Sequence, residues 1–172
     1  MNKIENYIKK EQISKDDDNK KLEKPFLKKS RKNFSVANLL FNISENEDMK
    51  EFLNLSPDFE THDWVIVISY YSMYVSALAA IAKFGFKSKS HAATIFILKS
   101  KFVKKRKLEE KDVKKLTKAY NLSSELITKL MQTKTRREAA QYDATPSITR
   151  EMAESSLKDA DEFITKIEEI LS

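Results

Sequence analysis

The sequence has few of the residues that many kinds of fold and site require. It contains no cysteine, one glycine, three prolines and only two histidines, His62 and His91, in 172 residues. Without cysteine there is no disulfide, thiolate metal site or cysteine nucleophile, which suits the reducing cytoplasm. Tight turns, phosphate-binding loops and dinucleotide folds need glycine, so a single glycine favours helices with short connections. Two histidines argue against a histidine-built metal cage, and we expect no metal or other cofactor.

Charged residues are abundant and unevenly distributed. They make up 34% of the chain, against about 25% in an average soluble domain, and the net charge is +6. Residues 45–63 contain seven acidic residues and one lysine, whereas residues 99–118 contain ten lysines and arginines and three acidic residues. The basic segment is typical either of a solvated helix face or of a nucleic-acid interface. Its densest part is Lys104, Lys105, Arg106 and Lys107.

Apolar residues recur with the helical period through most of the chain. The spacing predicts long helices over 20–44, 61–84, 123–142 and 149–171, another that begins at 88–90, and a loop with a short helix within 99–118. No segment has the two-residue period of a strand. The sequence therefore predicts an all-α fold, an antiparallel up-and-down bundle of four to five helices. Residues 1–18 are predicted as a flexible, charged tail ahead of a bundle over 19–172. The N-terminal region is basic, since residues 1–34 contain 11 lysines and arginines and 6 acidic residues.

The helix over 61–84 is the most apolar part of the chain. Between Trp64 and Ala82 there is no charged residue, and this length just meets the requirement for a membrane span. Three tyrosines and three serines lie in the middle of the segment, whereas aromatic residues of membrane helices belong at the interfaces. We therefore predict a central bundle helix and no membrane association. A stripe of small residues marks the face that a neighbouring helix approaches: Ser69, Ser72, Ser76 and Ala80.

Arg137 is a candidate phosphate ligand. It is predicted on the apolar face of the helix over 123–142, in line with Leu126, Leu130 and Thr133. A guanidinium there is either half of a structural ion pair or a clamp for phosphate. Arg136 adjoins it, and Tyr142 either packs on the bundle or donates its phenol to a phosphate.

His91 is a candidate site residue at a predicted helix start. It ends the sequence Lys87-Ser88-Lys89-Ser90-His91. Two interpretations stay open: a packing or capping histidine, or an anion site in which Lys87, Lys89, His91 and the first amides of the helix bind a phosphate.

Several of these segments together resemble the HEPN domain family. They are residues 69–74 (SYYSMY), 84–85 (FG), 87–91 (KSKSH) and 137–143 (REAAQYD), followed by the helix over 149–171. The resemblance implies a homodimeric helical bundle from an archaeon or bacterium, and many members are metal-independent ribonucleases. In those members an arginine binds the scissile phosphate, and a histidine separated from it by four to six residues assists the attack. Arg137 and Tyr142 occupy the corresponding positions, with Arg136 as a further phosphate ligand.

Tyr142 stands where that element has histidine. A phenol with a pKa near 10 is a weak base at neutral pH, so the resemblance leaves catalysis open. The sequence predicts a protein that acts on or binds RNA or a ribonucleoprotein. The alternative is a non-catalytic interaction subunit, or a toxin-like partner of a nucleotidyltransferase, as in toxin–antitoxin pairs of this family.

Overall fold

The computed structural model describes the backbone of residues 3–136 and 148–172 and the side chains of residues 4–128 and 148–172. In chain order its elements are α1 (Lys3–Lys9), β1 (Ile13–Lys15), a 3-10 turn (Asp17–Leu22), α2 (Glu23–Glu45), α3 (Glu47–Phe52), α4 (His62–Ala82), β2 (Phe86–Ser88), α5 (His91–Leu98), a π-helical turn (Lys99–Val103), α6 (Glu110–Arg136) and α7 (Arg150–Leu171).

Helices α2, α4, α6 and α7 form the body of the domain. Ser30 of α2 is hydrogen-bonded to Ser72 of α4, while Ser44 at the end of α2 contacts Thr61 before α4, so these helices run antiparallel. At the other end of α4, the Lys83 Nζ donates to the carbonyl of Leu171 at the end of α7. Helix α6 follows α4 and precedes α7 in the chain, and it runs in the opposite direction to both. These contacts confirm the predicted all-α up-and-down bundle.

Helix α4 is the core of the bundle. Its small-residue stripe is buried, and at the contact with α2 the Ser30 Oγ donates to the Ser72 carbonyl (2.8 Å) while the Ser72 Oγ donates to the Ser30 carbonyl (2.7 Å). Trp64 and Tyr71, which are bulkier residues of the same helix, are 49% and 45% exposed. Among the described residues, α4 is the one helix long and apolar enough to cross a membrane, and 78% of its most apolar window is buried in the bundle. Burial among other helices accounts for its composition.

A two-stranded ribbon joins the N-terminal segment to the bundle. Strand β1 pairs antiparallel with β2, with Ile13 opposite Ser88. Ile13 and Phe86 are each 3% exposed. Gly85 has a φ of +75°, and a Cβ there would lie 2.8 Å from the Asp16 carbonyl oxygen. No two-residue period indicated these strands, because three-residue strands are too short to show one. The flexibility and the domain boundary predicted at residue 18 stay predictions.

Helix α6 is longer than predicted. The short helix expected within 99–118 and the one expected to begin at residue 123 are a single helix that starts at Glu110. Nothing between them breaks a helix, since the linking residues include no proline or glycine. Tyr120 of this helix is 37% exposed.

Candidate functional site

Four consecutive cations lie on the turn that precedes α6: Lys104, Lys105, Arg106 and Lys107. The backbone NH of Lys107 donates to the Phe102 carbonyl (3.0 Å), and Arg106 adopts a positive φ of 56°. The turn is anchored on both sides, because Phe102 and Leu108 are only 1% and 2% exposed. All four cationic side chains are exposed, and none has an ion-pair partner within the described part of the chain. This segment therefore presents concentrated positive charge from a fixed backbone.

Three other cations of the basic segment are paired with carboxylates. Lys99 pairs with Glu110, Lys111 with Glu109 at 3.0 Å, and Lys115 with Asp159 at 2.9 Å and also with Glu162. The adjacent carboxylate raises the pKa of Lys111, and the carboxylates of α7 raise the pKa of Lys115, so both stay charged but compensated. Seven cations of the segment have no ion-pair partner among the described residues, and four of them are the consecutive residues 104–107; the others are Lys101, Lys114 and Lys118.

A second group of cations lies on the ribbon. Lys15, Lys87 and Lys89 line a cleft of about 550 Å³ beside β1 and β2. The Lys15 Nζ lies 5.6 Å from the centre of the Phe86 ring, and the Lys101 Nζ lies 5.9 Å from the centre of the same ring. Phe86 therefore links the ribbon to the π-helical turn, which leads directly into the basic turn.

We call this set the basic surface: Lys15, Lys87, Lys89, Lys101, Lys104, Lys105, Arg106 and Lys107. The sequence analysis did not predict a binding role for Lys15, and it counted Lys101 only as one of the cations of the basic segment. The charge of Lys101 was visible in the composition of residues 99–118, but the place of Lys15 depends on a strand pairing that no local pattern indicated.

His91 lies in an aromatic cluster at the junction of α4, α5 and α6. Its ring stacks on Tyr120 with centres 4.0 Å apart and an interplanar angle of 14°, and it also contacts Tyr70 and Tyr74. Neither ring nitrogen has a hydrogen-bond partner among the residues described, and both are buried. Burial lowers the pKa of His91 to about 4, so the ring is neutral at pH 7. Burial likewise raises the pKa of the Tyr70 and Tyr74 phenols.

The structure divides the predicted anion site into two places. Lys87 and Lys89 are exposed and face the cleft beside β1, whereas the His91 nitrogens are enclosed by tyrosines. Ser90 caps α5, with its Oγ accepting from the Ala93 NH at 3.4 Å. A phosphate contact from His91 would need its ring to turn out of the cluster, so this arrangement favours a packing histidine. The phosphate-binding role predicted for Lys87, Lys89 and His91 stays a prediction.

The predicted catalytic residues Arg137 and Tyr142 lie outside the described residues, as does the side chain of Arg136, whose backbone ends α6. Leu126 packs in one cluster with Val65 and Ile66 near the start of α4. Helix α6 continues ten residues further, about 15 Å at helical rise. Arg136 therefore lies beyond the start of α4, at the opposite end of the bundle from the basic turn.

The family comparison agrees with this fold. The model of the HEPN domain family matches residues 24–170, a span that begins in the first turn of α2 and ends in the last turn of α7. The chain belongs to the HEPN domain family, and so to a superfamily of nuclease, RNA-related or nucleotide-binding domains. No curated protein matches it. The resemblance inferred from residues 69–74, 84–91 and 137–143 is thereby confirmed at the level of the family.

Proposed function

We propose that this HEPN domain binds RNA through its basic surface and does so as a homodimer in the cytoplasm. The observation that carries the proposal is the turn over 104–107, which holds four exposed cations that are not neutralised within the described part of the chain. Phosphate groups are the natural partners of such cations, and their binding is driven by the release of counterions. Arginine adds a planar fork that matches phosphate geometry.

Structural roles account less well for these cations. Lysines that stabilise the fold are paired with carboxylates, as Lys115 is with Asp159 and Glu162. The cations at 104–107 have no such partner and lie between the buried side chains of Phe102 and Leu108. Their positive charge is therefore exposed to solvent and does not stabilise the core. The net charge of +6 adds a long-range attraction for polyanions.

The test is RNA binding by a variant that lacks three charges of the turn. We expect Lys104→Ala, Lys105→Ala and Lys107→Ala together to weaken binding of a labelled single-stranded RNA about 10- to 100-fold, measured by fluorescence anisotropy. Each phosphate contact contributes about 0.7 to the slope of log K against log salt for single strands, so the slope should fall by about 2.

The matched control removes the same charge elsewhere. Lys32, Lys158 and Lys166 lie on α2 and α7, and their replacement by alanine should change affinity less than about threefold. Equal weakening by the two triple variants would mean that only net charge matters, and the basic surface would not be the binding site.

We also propose that RNA cleavage, if it occurs, is a step separate from RNA binding. Arg137 would bind the scissile phosphate and Tyr142 would orient the attacking hydroxyl, with both residues placed at a cleft between two copies. RNA cleavage of this kind needs no metal ion. A nucleotidyltransferase-type protein partner is the alternative, and it is favoured if wild-type protein neither binds nor cleaves RNA.

A further inference from the structure

An apolar groove lies on the outside of the bundle between α2 and α3. It has a volume of about 400 Å³, and its apolar lining consists of Leu39, Ile43, Met49, Phe52 and Leu53. We call it the α2–α3 groove. Asn46 and Asp48 complete its wall. The groove exists because the chain turns at Asn46, whose side chain accepts from the Met49 NH at 2.9 Å and starts α3 alongside the end of α2.

The apolar side chains of this groove are unusually exposed. Phe52 is 85% exposed, Leu39 is 52% exposed and Leu53 is 43% exposed. Val36, at 40%, continues the stripe by one turn of α2. Burial of large apolar side chains is favourable, so a helical chain with an ample core has little reason to leave a cluster uncovered. A contiguous patch of this kind marks an interaction surface.

Helix α3, which forms one side of the groove, is acidic, and Asp48 is the carboxylate that lines the groove itself. Glu47, Asp48 and Glu51 of α3 are exposed and have no ion-pair partner among the residues that the structure describes. Lys50, the single cation of residues 45–63, is withdrawn from this surface. It is 8% exposed, and its Nζ donates to the Pro57 carbonyl at 2.9 Å. An occupant of the groove therefore meets apolar side chains and Asp48 in the groove, and the other carboxylates of α3 lie beside it.

This charge pattern distinguishes between occupants. Two copies of the chain related by a two-fold axis through the groove would bring the same carboxylates together, and like charges in an interface are unfavourable. An anionic lipid surface would be repelled by the same groups. A helix with an apolar stripe and flanking lysines or arginines matches both the groove and the carboxylates of α3, in the manner of other helix-in-groove interfaces.

We propose that the α2–α3 groove binds a basic amphipathic helix of a partner protein. Its apolar side chains pack on Leu39, Phe52 and Leu53, and its cations face Glu47, Asp48 and Glu51. The groove does not include any residue of the basic surface, so this site is distinct from the basic surface.

The test uses a synthetic helical peptide and the full chain. The probe is a labelled 16-residue peptide of leucine and lysine, with leucine at helical spacing along one face. Its isomer has the same composition with the leucines distributed around the helix. In fluorescence anisotropy the amphipathic peptide should bind at least tenfold more tightly than its isomer. Leu39→Ala with Phe52→Ala should weaken its binding by tenfold or more.

Two further variants separate apolar from ionic recognition. Glu47→Gln, Asp48→Asn and Glu51→Gln together should weaken the peptide about three- to tenfold and remove most of its salt dependence. Ile8→Ala is the matched control, because Ile8 is an exposed apolar residue (39%) that lines the cleft beside β1. It should change peptide affinity less than twofold. All of these side chains are on the surface, and circular dichroism checks that each variant is folded.

Three results would overturn the proposal. One is equal binding of the two peptide isomers. Another is binding that the groove variant leaves unchanged. The third is a fall from dimer to monomer mass in light scattering when Leu39 and Phe52 are replaced, which would assign the groove to a second copy of this chain. Unchanged oligomeric state together with lost peptide binding supports the proposal.

Discussion

At the scale of single residues, His91 shows how burial determines what a motif residue can do. In the sequence it ends a run of lysines and serines, a setting in which a histidine can bind an anion. In the structure it stacks between tyrosines, and its nitrogens have no hydrogen-bond partner among the described residues. The loss of hydration disfavours the charged ring, which lowers the pKa of His91 to about 4.

This lowered pKa predicts a pH dependence of stability. The unfolded state binds a proton on His91 near pH 6.5, whereas the folded state binds it only near pH 4. Stability is therefore fully present above pH 6.5 and is lost as the pH falls from 6.5 through 4. The contribution should be about 1–3 kcal/mol, allowing for partial exposure. Urea unfolding of wild type and His91→Phe at pH 7 and pH 4.5 measures it.

His91→Phe keeps the aromatic stack and removes the titration, so its stability should fall less between pH 7 and pH 4.5 than that of the wild type. Acid also protonates paired carboxylates such as Glu162, whose pKa Lys115 lowers. That loss is common to both proteins and cancels in the comparison. Identical losses in the two proteins would show that His91 is as hydrated when folded as when unfolded.

At the scale of elements, the β1–β2 ribbon shows the limit of local patterns. The sequence predicted a flexible tail over residues 1–18, because lysines and three aspartates outnumber apolar residues there. A three-residue strand is stabilised by its partner 73 residues away in the register Ser14–Lys87, and such a pairing leaves no local signature. By contrast, the helical period and the serine stripe of α4 are local, and both were predicted.

Because Ile13 lies in the ribbon, we expect alanine substitution to destabilise the fold more at Ile13 than at Ile8. Ile13 is 3% exposed and Ile8 is 39% exposed. Ile13→Ala should lower the free energy of unfolding by about 2–3 kcal/mol, since it leaves a cavity in the core, and Ile8→Ala by less than about 1 kcal/mol. Urea denaturation of the two variants gives the comparison. If Ile13→Ala were as mild as Ile8→Ala, the segment would be the flexible tail that the composition suggests.

At the scale of the whole molecule, the direction of α6 separates two parts of the proposed RNA site. The basic turn precedes α6, and Arg136 ends it. The family element that begins at Arg137 follows directly in the chain. Under the proposed function, RNA held at the basic surface of one copy would have to reach a catalytic element at the far end of the bundle or one contributed by a second copy. Binding and cleavage should respond to different variants.

As a ribonuclease, the protein should cleave end-labelled RNA in the presence of EDTA. Arg137→Ala should reduce the rate at saturating RNA by about 100-fold or more, whereas Arg150→Ala, a control arginine that is 53% exposed, should not. The triple lysine variant of the basic turn should raise KM and leave kcat unchanged, because it removes binding that is common to substrate and transition state. Gel-based kinetics measures all three, and the absence of cleavage by wild type would identify a non-catalytic RNA or partner-binding domain.

The sequence by itself determined the class of the fold, the long helices and the central place of α4. These follow from the spacing of apolar residues, from the near absence of glycine and from the helix-compatible composition, which are local properties of the chain. The family could also be recognised from ordered short motifs. Only the tertiary structure decided the ribbon at Ile13, the enclosure of His91 by tyrosines and the apolar groove beside α3. Each of these depends on which distant segments pack together, and packing between distant segments is a property of the whole fold.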